Sequence, residues 1–470
     1  MNDALEAARR ALGGTETWVV GGVVRDALLS RETSDVDLVV AGEPEAAARA
    51  LAREGDATAF PLSEAFGAWR VVAREASWHA DVSPLAGGSI EADLGRRDFT
   101  INAIARRLGD DELIDPWSGA ADLAAGRLRM VSTHAFADDP LRTLRLARLA
   151  CELGFDADPD TVAAARGHAV QVAGVAQERV FAELRRIVTA PYALAGLALM
   201  ETIGLTAVVL PELTALRGVE QSAYHHLDVY DHTLAVLQAL IDLEQDPEPA
   251  FGSLAPAVSA VLAEPLADEL RRGEALRFGA LLHDAAKPAT RAVTPEGRIT
   301  FHHHDRAGAE LARSTLTRLK TSERLRGYVA AVTRNHLRLG FLVHERPLAP
   351  RTLYRYLDAC DPVEVDVTVL SVADRLGTRG RKADEAIAKH LDLAREVMAA
   401  ALRWRADGRP RPLLRGDEVA RAVGVPPGPI VGTLLSELAE AQFAGEIADR
   451  RDAVRLARRL AARLGPPAAG

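Results

Sequence analysis

Asp35 and Asp37 stand two residues apart in Asp35-Val36-Asp37-Leu38-Val39-Val40, shortly after Gly21-Gly22-Val23-Val24-Arg25-Asp26. Side chains two apart on a strand share a face, so a strand here turns both carboxylates into one site. Hard oxygen ligands of this kind suit Mg²⁺, and a two-metal site activates an attacking hydroxyl while steadying a pyrophosphate leaving group. The glycine pair lets the backbone approach a triphosphate, and Arg25, just inside the following helix, offsets its charge. A second strand-like stretch, Trp78-His79-Ala80-Asp81-Val82, can bring a third carboxylate, Asp81, to the same metals. Taken alone, the first segment also reads as a turn and an edge strand with solvated acids.

Two further segments narrow that choice. In Arg96-Arg97-Asp98-Phe99-Thr100-Ile101-Asn102-Ala103-Ile104-Ala105, charge gives way abruptly to an apolar run. Arg97 is expected to touch a nucleotide, with Asp98 holding it in place. Asp138-Asp139-Pro140-Leu141-Arg142-Thr143-Leu144-Arg145-Leu146-Ala147-Arg148 is expected to open a helix with its proline near the first turn. Arg142, Arg145 and Arg148 then lie on neighbouring faces. The chain holds only four lysines, so arginine is its general surface cation, and this stripe by itself reads equally well as a solvated face. Downstream, nine of the thirteen histidines fall between His225 and His344.

Together these segments resemble the class II tRNA nucleotidyltransferases, the CCA-adding enzymes and their bacterial poly(A) polymerase relatives. GGVVRD with DVD is similar to the family's motif A, RRDFTINAIA to motif B, and DDPLRTLRLARLA to the nucleotide-selecting helix; Gly416 to Leu435 is similar to its C-terminal region. The resemblance implies that Gly22, Arg25, Arg97, Asp139, Arg142, Arg145 and Arg148 bind nucleotide. It also implies that Asp35 and Asp37 hold magnesium; Asp81, from the strand-like stretch above, is expected as the third catalytic carboxylate. Where the family carries Glu, this chain has Asp138, which leaves the base-reading pair Asp139 and Arg142 intact. C and A both offer an exocyclic amino donor beside a ring acceptor, which a carboxylate and a guanidinium match. U and G present the opposite polarity and leave buried polar groups unmatched. Gln177 to Arg186 resembles another family signature, in which Glu178, Arg179 and Glu183 brace that helix; i, i+4 pairing of Arg179 with Glu183 explains the same residues.

The histidines resemble the HD phosphohydrolase superfamily, through Tyr224-His225-His226-Leu227-Asp228-Val229-Tyr230-Asp231-His232-Thr233 and Leu281-Leu282-His283-Asp284-Ala285-Ala286-Lys287. His232, His283, Asp284, His304, His336 and Asp374 are implied as ligands of one or two divalent transition metals that activate a water. His302 and His303 are expected to be neighbours of that site rather than ligands. Helix-packing or surface histidines are the plain alternative.

The implied fold is α+β. It comprises a polymerase-β-like head (residues 1–130), a helical neck selecting the nucleotide (131–215), an HD domain (216–400) and a helical tRNA-binding tail (401–470). Residues 246–270 read as a surface insertion and Arg403 to Pro412 as a linker. With 470 residues, 48% of them apolar, several domain cores are within reach. No run of about 20 apolar residues suggests a membrane span, and no leader pattern is visible, so a cytoplasmic enzyme is expected. Cys151 and Cys360 form no metal motif. A net charge of -9 leaves RNA contact to local patches such as Arg450, Arg451, Arg455, Arg458, Arg459 and Arg463, which also read as a solvated helix face.

The expected reaction is transfer of CMP, and AMP, from CTP and ATP to the 3′ end of tRNA. CC-only addition, poly(A) synthesis, and an HD phosphohydrolase with a nucleotide-sensing head remain as alternatives. Val82 to Gly95 contains no arginine or lysine, whereas the resemblance implies a longer basic loop there in full CCA-adding relatives and none in those that stop after CC.

Overall fold

A computed structural model describes residues 3–33, 35–63, 67–75, 77–110, 112–221, 227–380 and 383–464. Tyr224, His225 and His226 lie outside the described residues. The chain forms two compact units, Met1–Val209 and Leu210–Gly470.

The first unit opens with α1 (Asp3–Leu12), β1 (Thr17–Val20), α2 (Gly22–Leu28), β2 (Asp35–Val40), α3 (Pro44–Glu54), β3 (Ala57–Ser63), β4 (Ala68–Ala73), β5 (His79–Pro84), α4 (Ile90–Leu94), β6 (Ala105–Arg107) and β7 (Leu113–Ile114). The seven strands order as β3-β4-β5-β2-β1-β6-β7. β2 and β5 are parallel; the other pairings are antiparallel. Strand parity explains the two faces. Val36, Leu38, Val40, Val71, Ala80 and Val82 point to a core shared with Ala4, Ala8, Ala48 and Leu51 of α1 and α3. Asp35 and Asp37 alternate outward. Burying each such Val or Leu contributes about 1.5–3 kcal/mol, so a one-residue slip of β2 would exchange three core side chains for two acids.

After the sheet the unit is almost entirely helical. Helices Arg142–Leu153, Gln177–Thr189 and Ala193–Thr202 pack on one another, burying Leu144, Leu149, Leu184, Ile187 and Leu197. The selecting helix starts at Arg142, later than expected: Asp138 ends a short preceding turn of helix, Asp139 is extended, and its Oδ1 accepts from the Leu141 N–H. Pro140 therefore shapes the turn before the helix.

In the second unit, helices Val229–Gln245, Arg272–Leu282, His304–Arg318, Glu323–Asn335 and Glu364–Gly377 surround the histidines. Residues 246–270 are not a surface insertion. They form helices Glu248–Phe251 and Ala255–Leu262, which bury Ala250, Phe251, Val258 and Leu262; their prolines sit in first turns, where no N–H is needed. Nor is Arg403 to Pro412 wholly a linker, because helix Ala383–Asp407 runs through it and buries Trp404 against Tyr354 and Phe443. The tail is a three-helix cluster with its own core of Leu414, Val419, Val431, Leu434, Leu438 and Leu456. The arginines of its last helix, Arg450–Leu464, are exposed. No helix among the described residues is long and apolar enough to cross a membrane.

Candidate active site and metal centre

The register of the sheet sets Asp81 of β5 beside Asp37 of β2, and His79 beside Asp35. His79 Nδ1 lies 3.1 Å from Asp35 Oδ1. Asp81 accepts a two-pronged contact from Arg70 of β4, at 2.7 and 2.8 Å. Asp37 opens onto solvent, yet the protein packed around it raises its carboxyl pKa; Arg97 pulls it back, and Asp81 and Asp35 add to the rise. Three carboxylates gathered on one face, where Asp81 and Asp35 add to the rise at Asp37, are a hard-oxygen donor set that suits Mg²⁺.

Gly21, rather than Gly22, is the sterically demanding member of the glycine pair. Its φ is +74°, and a Cβ there would lie 2.8 Å from Arg97 Nη1 and 3.2 Å from Asp37 Oδ2. Gly21→Ala is therefore expected to keep the fold but lower turnover by about 10–100-fold, read by nucleotide-incorporation kinetics alongside a thermal melt. An unchanged rate would show that Arg97 and Asp37 yield without consequence.

Arg25 is fixed before any ligand arrives. Its Nε and Nη2 bond both oxygens of Asp26 at 2.9 Å, and Nη1 donates to Asn102 Oδ1 at 2.7 Å. Asn102 Nδ2 in turn donates to Asp98 Oδ1 at 3.0 Å. Asp98 does not hold Arg97, contrary to the sequence expectation. Its Oδ2 takes Arg145 Nη1 at 2.9 Å, and Arg97 lies instead against Asp93 at 3.3 Å. Burial opposes ionisation of Asp98, but Arg145, Asn102 and the Phe99 N–H outweigh it and hold the carboxyl at about 2. The short side chain of Asp98 faces inward to the neck, while Asp93, one helical turn before Arg97, shares its face.

The neck arginines divide their tasks. Arg142 donates to the carbonyls of Ala135, Arg96 and Arg97 at 3.0, 2.7 and 3.4 Å. Arg145 and Arg148 both reach Glu183, at 3.4 and 2.8 Å, and Arg148 is buried. Asp139 Oδ2 accepts from Arg179 at 2.9 Å. Arg179 and Glu183 thus brace the selecting helix across the interface instead of pairing with each other, and Glu178 is exposed. Among the described residues the buried Nε–H donors of Arg97 and Arg142 have no acceptor.

In the second unit all six expected ligands converge. His232 lies in the first turn of its helix, His283 and Asp284 follow Leu282, His304 opens a helix, His336 follows Asn335, and Asp374 sits in the last turns of Glu364–Gly377. His232, His283 and Asp374 have ligand atoms within 4.8 Å of one another, as do Asp284, His304 and His336. Asp284 lies between the groups: Oδ2 is 3.2 Å from His283 Nε2 and 3.6 Å from His232 Nε2, and Oδ1 is 3.3 Å from His304 Nε2 and 3.8 Å from His336 Nε2. The Nδ1 atoms of His283, His304 and His336 each contact a backbone carbonyl at 2.7 Å, which leaves Nε2 as the lone-pair nitrogen facing the cluster. Burial, aided by His283, lowers His336 to about 4, so its imidazole is neutral. Three imidazoles oriented by backbone carbonyls, with carboxylates between them, fit a divalent transition metal. His302 and His303 are exposed and belong to neither group.

Sequence reasoning passed over Asn102, Asp93, Arg70 and His79. The first two lie inside or beside the arginine-aspartate motif, and the last two were signalled only by strand parity. Lys287, 2.6 Å from Asp284 Oδ2, stood in the quoted histidine motif without a role.

A mixed sheet presenting carboxylates beside a glycine turn, followed by a helical neck and a histidine-lined helical unit, defines a nucleotidyltransferase joined to an HD domain. Residues 17–129 match the family described as the poly A polymerase head domain, 154–216 the probable RNA and SrmB-binding site of polymerase A, and 229–379 the HD domain. The chain is 38% identical to the A-adding tRNA nucleotidyltransferase of Deinococcus radiodurans, over 93% of each chain. It is 35% identical to the CC-adding tRNA nucleotidyltransferase of Thermus thermophilus, over 93% of this chain and 92% of that one. A solved complex of a CCA-adding enzyme with ATP shares the fold, with a TM-score of 0.64 at 18% identity over 98% of this chain and 94% of its own. The protein belongs to the tRNA nucleotidyltransferase family and is an enzyme of that kind.

Proposed function

We propose that the enzyme transfers CMP from CTP, and AMP from ATP, to the 3′ hydroxyl of tRNA, building or repairing the CCA terminus. The observation that carries this reading is the gathering of Asp35, Asp37 and Asp81 on one face of the sheet, with the Gly21 turn and the Arg97 guanidinium against Asp37. Asp35 and Asp37, with Asp81 beside them, would hold magnesium. When bound there, magnesium activates the attacking hydroxyl and neutralises the leaving pyrophosphate. Gly21 and Gly22 admit the triphosphate, and Arg25 and Arg97 offset its charge. Asp26 and Asn102 hold Arg25 in a ready geometry, so little ordering remains when the nucleotide arrives. Asp139 accepts from the base amino group and Arg142 donates to the ring nitrogen, which suits C and A and rejects U and G. Arg145 and Arg148 act from behind, with Glu183 and Asp98 fixing the selecting helix against the head motif. The exposed arginines of helix Arg450–Leu464 offer a phosphate-binding patch for tRNA.

CC-only addition is the second reading. β5 ends at Pro84 and is followed by a three-residue turn, Ala86–Gly88, and the five-residue helix α4, none of it basic, so no long basic segment intervenes before Arg97. The two curated relatives carry names at opposite ends of the same reaction, one adding A and one adding CC. Incubating the enzyme with tRNA ending before the triplet, CTP and ATP, then sequencing product ends, separates these cases. CCA ends are expected; ends stopping at CC favour the second reading. Extension only of tRNA already ending in CC, or long A tracts on unstructured RNA, overturns both.

For the second unit we propose a divalent transition-metal centre held by His232, His283, Asp284, His304, His336 and Asp374, with phosphohydrolysis as its chemistry. Asp284 stands between the two ligand groups, a position from which its two oxygens can serve both.

A further inference from the structure

The carboxylate-bearing face of the head sheet continues beyond Asp81 to the free edge at β3. One cross-strand row runs Phe60, Arg70, Asp81, Asp37, Val20. Among the described residues the face to either side of it is open: Thr58 and Phe60 are exposed, and Arg70, Val72, His79, Asp81 and Ser83 are half-buried, while α3 packs against the opposite face. Phe60 is 42% exposed and Leu62, at a bulge in the edge strand, is 43% exposed. An exposed aromatic on an edge strand invites sticking to other chains unless something covers it. Pro61 between them removes a backbone donor from that edge, so further strand pairing is disfavoured. A ring that offers its face, rather than its backbone, suits a flat partner.

The reaction says what that partner is. Gly21, Arg25 and Arg97 belong to the β1 side of Asp37, which is where the triphosphate is placed. In-line displacement sets the attacking hydroxyl opposite the leaving pyrophosphate, so the primer end arrives from the β5 side, where the exposed face continues over β4 and β3. Three strand spacings place Phe60 about 14 Å from Asp37, within reach of a base shortly behind the terminal one. Arg70 commits Nε and Nη2 to Asp81, which leaves the two N–H groups of Nη1 for a phosphate.

We propose that the β5-β4-β3 face is the track for the last nucleotides of the tRNA primer, with Phe60 stacking a base behind the terminal residue and Arg70 contacting the backbone phosphate. Aromatic stacking tolerates any base, which suits an enzyme whose primers differ next to the added triplet. The inference rests on Asp35 and Asp37 as the metal ligands, a reading tested separately by their own substitution.

The test is steady-state CMP incorporation into tRNA lacking its triplet, by wild type, Phe60→Ala and Phe60→Trp. Phe60→Ala is expected to raise the KM for tRNA about tenfold and to leave the KM for CTP unchanged. Phe60→Trp should restore the KM for tRNA, because the ring returns. A KM for tRNA within about twofold of wild type in Phe60→Ala, an equal rise in the KM for CTP, or no rescue by Trp at unchanged Tm would each overturn the proposal. A tRNA carrying 5-iodouridine in its last few positions provides a second readout. Ultraviolet crosslinking to the peptide containing Phe60 is expected, and adducts confined to other peptides of the active protein would overturn it.

Discussion

Asp35→Ala and Asp37→Ala are each expected to lower nucleotide incorporation by at least about a thousandfold, the loss that follows when several kcal/mol of metal-borne charge stabilisation is removed. The fold is expected to survive both changes. Asp37 has its pKa raised in the folded protein by the protein around it, with Asp81 and Asp35 adding to the effect against Arg97. A carboxyl raised above its unfolded value binds its proton more tightly when folded. Its contribution to stability is therefore greatest at low pH and is lost as pH rises through the folded pKa. At neutral pH, above its unfolded pKa, the raised Asp37 carboxyl therefore opposes folding, so Asp37→Ala should melt no lower than wild type. Gel extension of tRNA lacking its triplet, beside a thermal melt of each variant, reads both effects. Full incorporation by an Asp35→Ala/Asp37→Ala double variant would remove the magnesium assignment.

Asp284→Asn in the second unit is expected to lower transition-metal affinity by at least about a hundredfold and to spare nucleotide addition. Both oxygens of Asp284 face histidine Nε2 atoms, so one substitution touches both ligand groups. His283→Ala takes a ligand from one group alone and should leave Asp284, His304 and His336 in place. Lys287 Nζ sits 2.6 Å from Asp284 Oδ2. Burial opposes ionisation of Asp284, but His283 and Lys287 hold its carboxyl well below the ordinary range, so the carboxylate is charged and available. Metal content after dialysis against Mn²⁺, Co²⁺ or Ni²⁺ measures the effect, with any phosphohydrolase activity expected to fall in parallel. Wild-type metal content in Asp284→Asn would sink the metal reading. Loss of nucleotide addition at an unchanged melting temperature would instead show that the HD unit is needed for the head reaction.

Local pattern decided much of the head by itself. The alternation of acids and aliphatics in Asp35 to Val40 fixes which side chains share a face, because strand periodicity is a property of the backbone. The glycine turn, the helix carrying Arg25 and the clustering of histidines were legible for the same reason: residue type and spacing over a few positions. The histidines at 232, 283, 304 and 336 converge with Asp284 and Asp374 as the family pattern implied, since each stands at or near a helix end that the apolar periodicity directs inward.

Contacts between residues far apart in sequence were decided only by the tertiary structure. Asp98 is adjacent to Arg97 in the chain, yet it bonds Arg145, 47 residues away, because its side chain points into the neck while Arg97 points towards Asp37 and Gly21. Arg70 and Asp81 are 11 residues apart and meet through antiparallel register, which no motif encodes. Residues 246–270 read as surface from their prolines and acids, but they bury Phe251 and Leu262, because a proline in a first helical turn costs no hydrogen bond and the acids lie on the outer side. Composition and spacing chose the chemistry and the faces; which charge meets which was set by packing, where burying an arginine or aspartate without a partner costs more than the chain could tolerate.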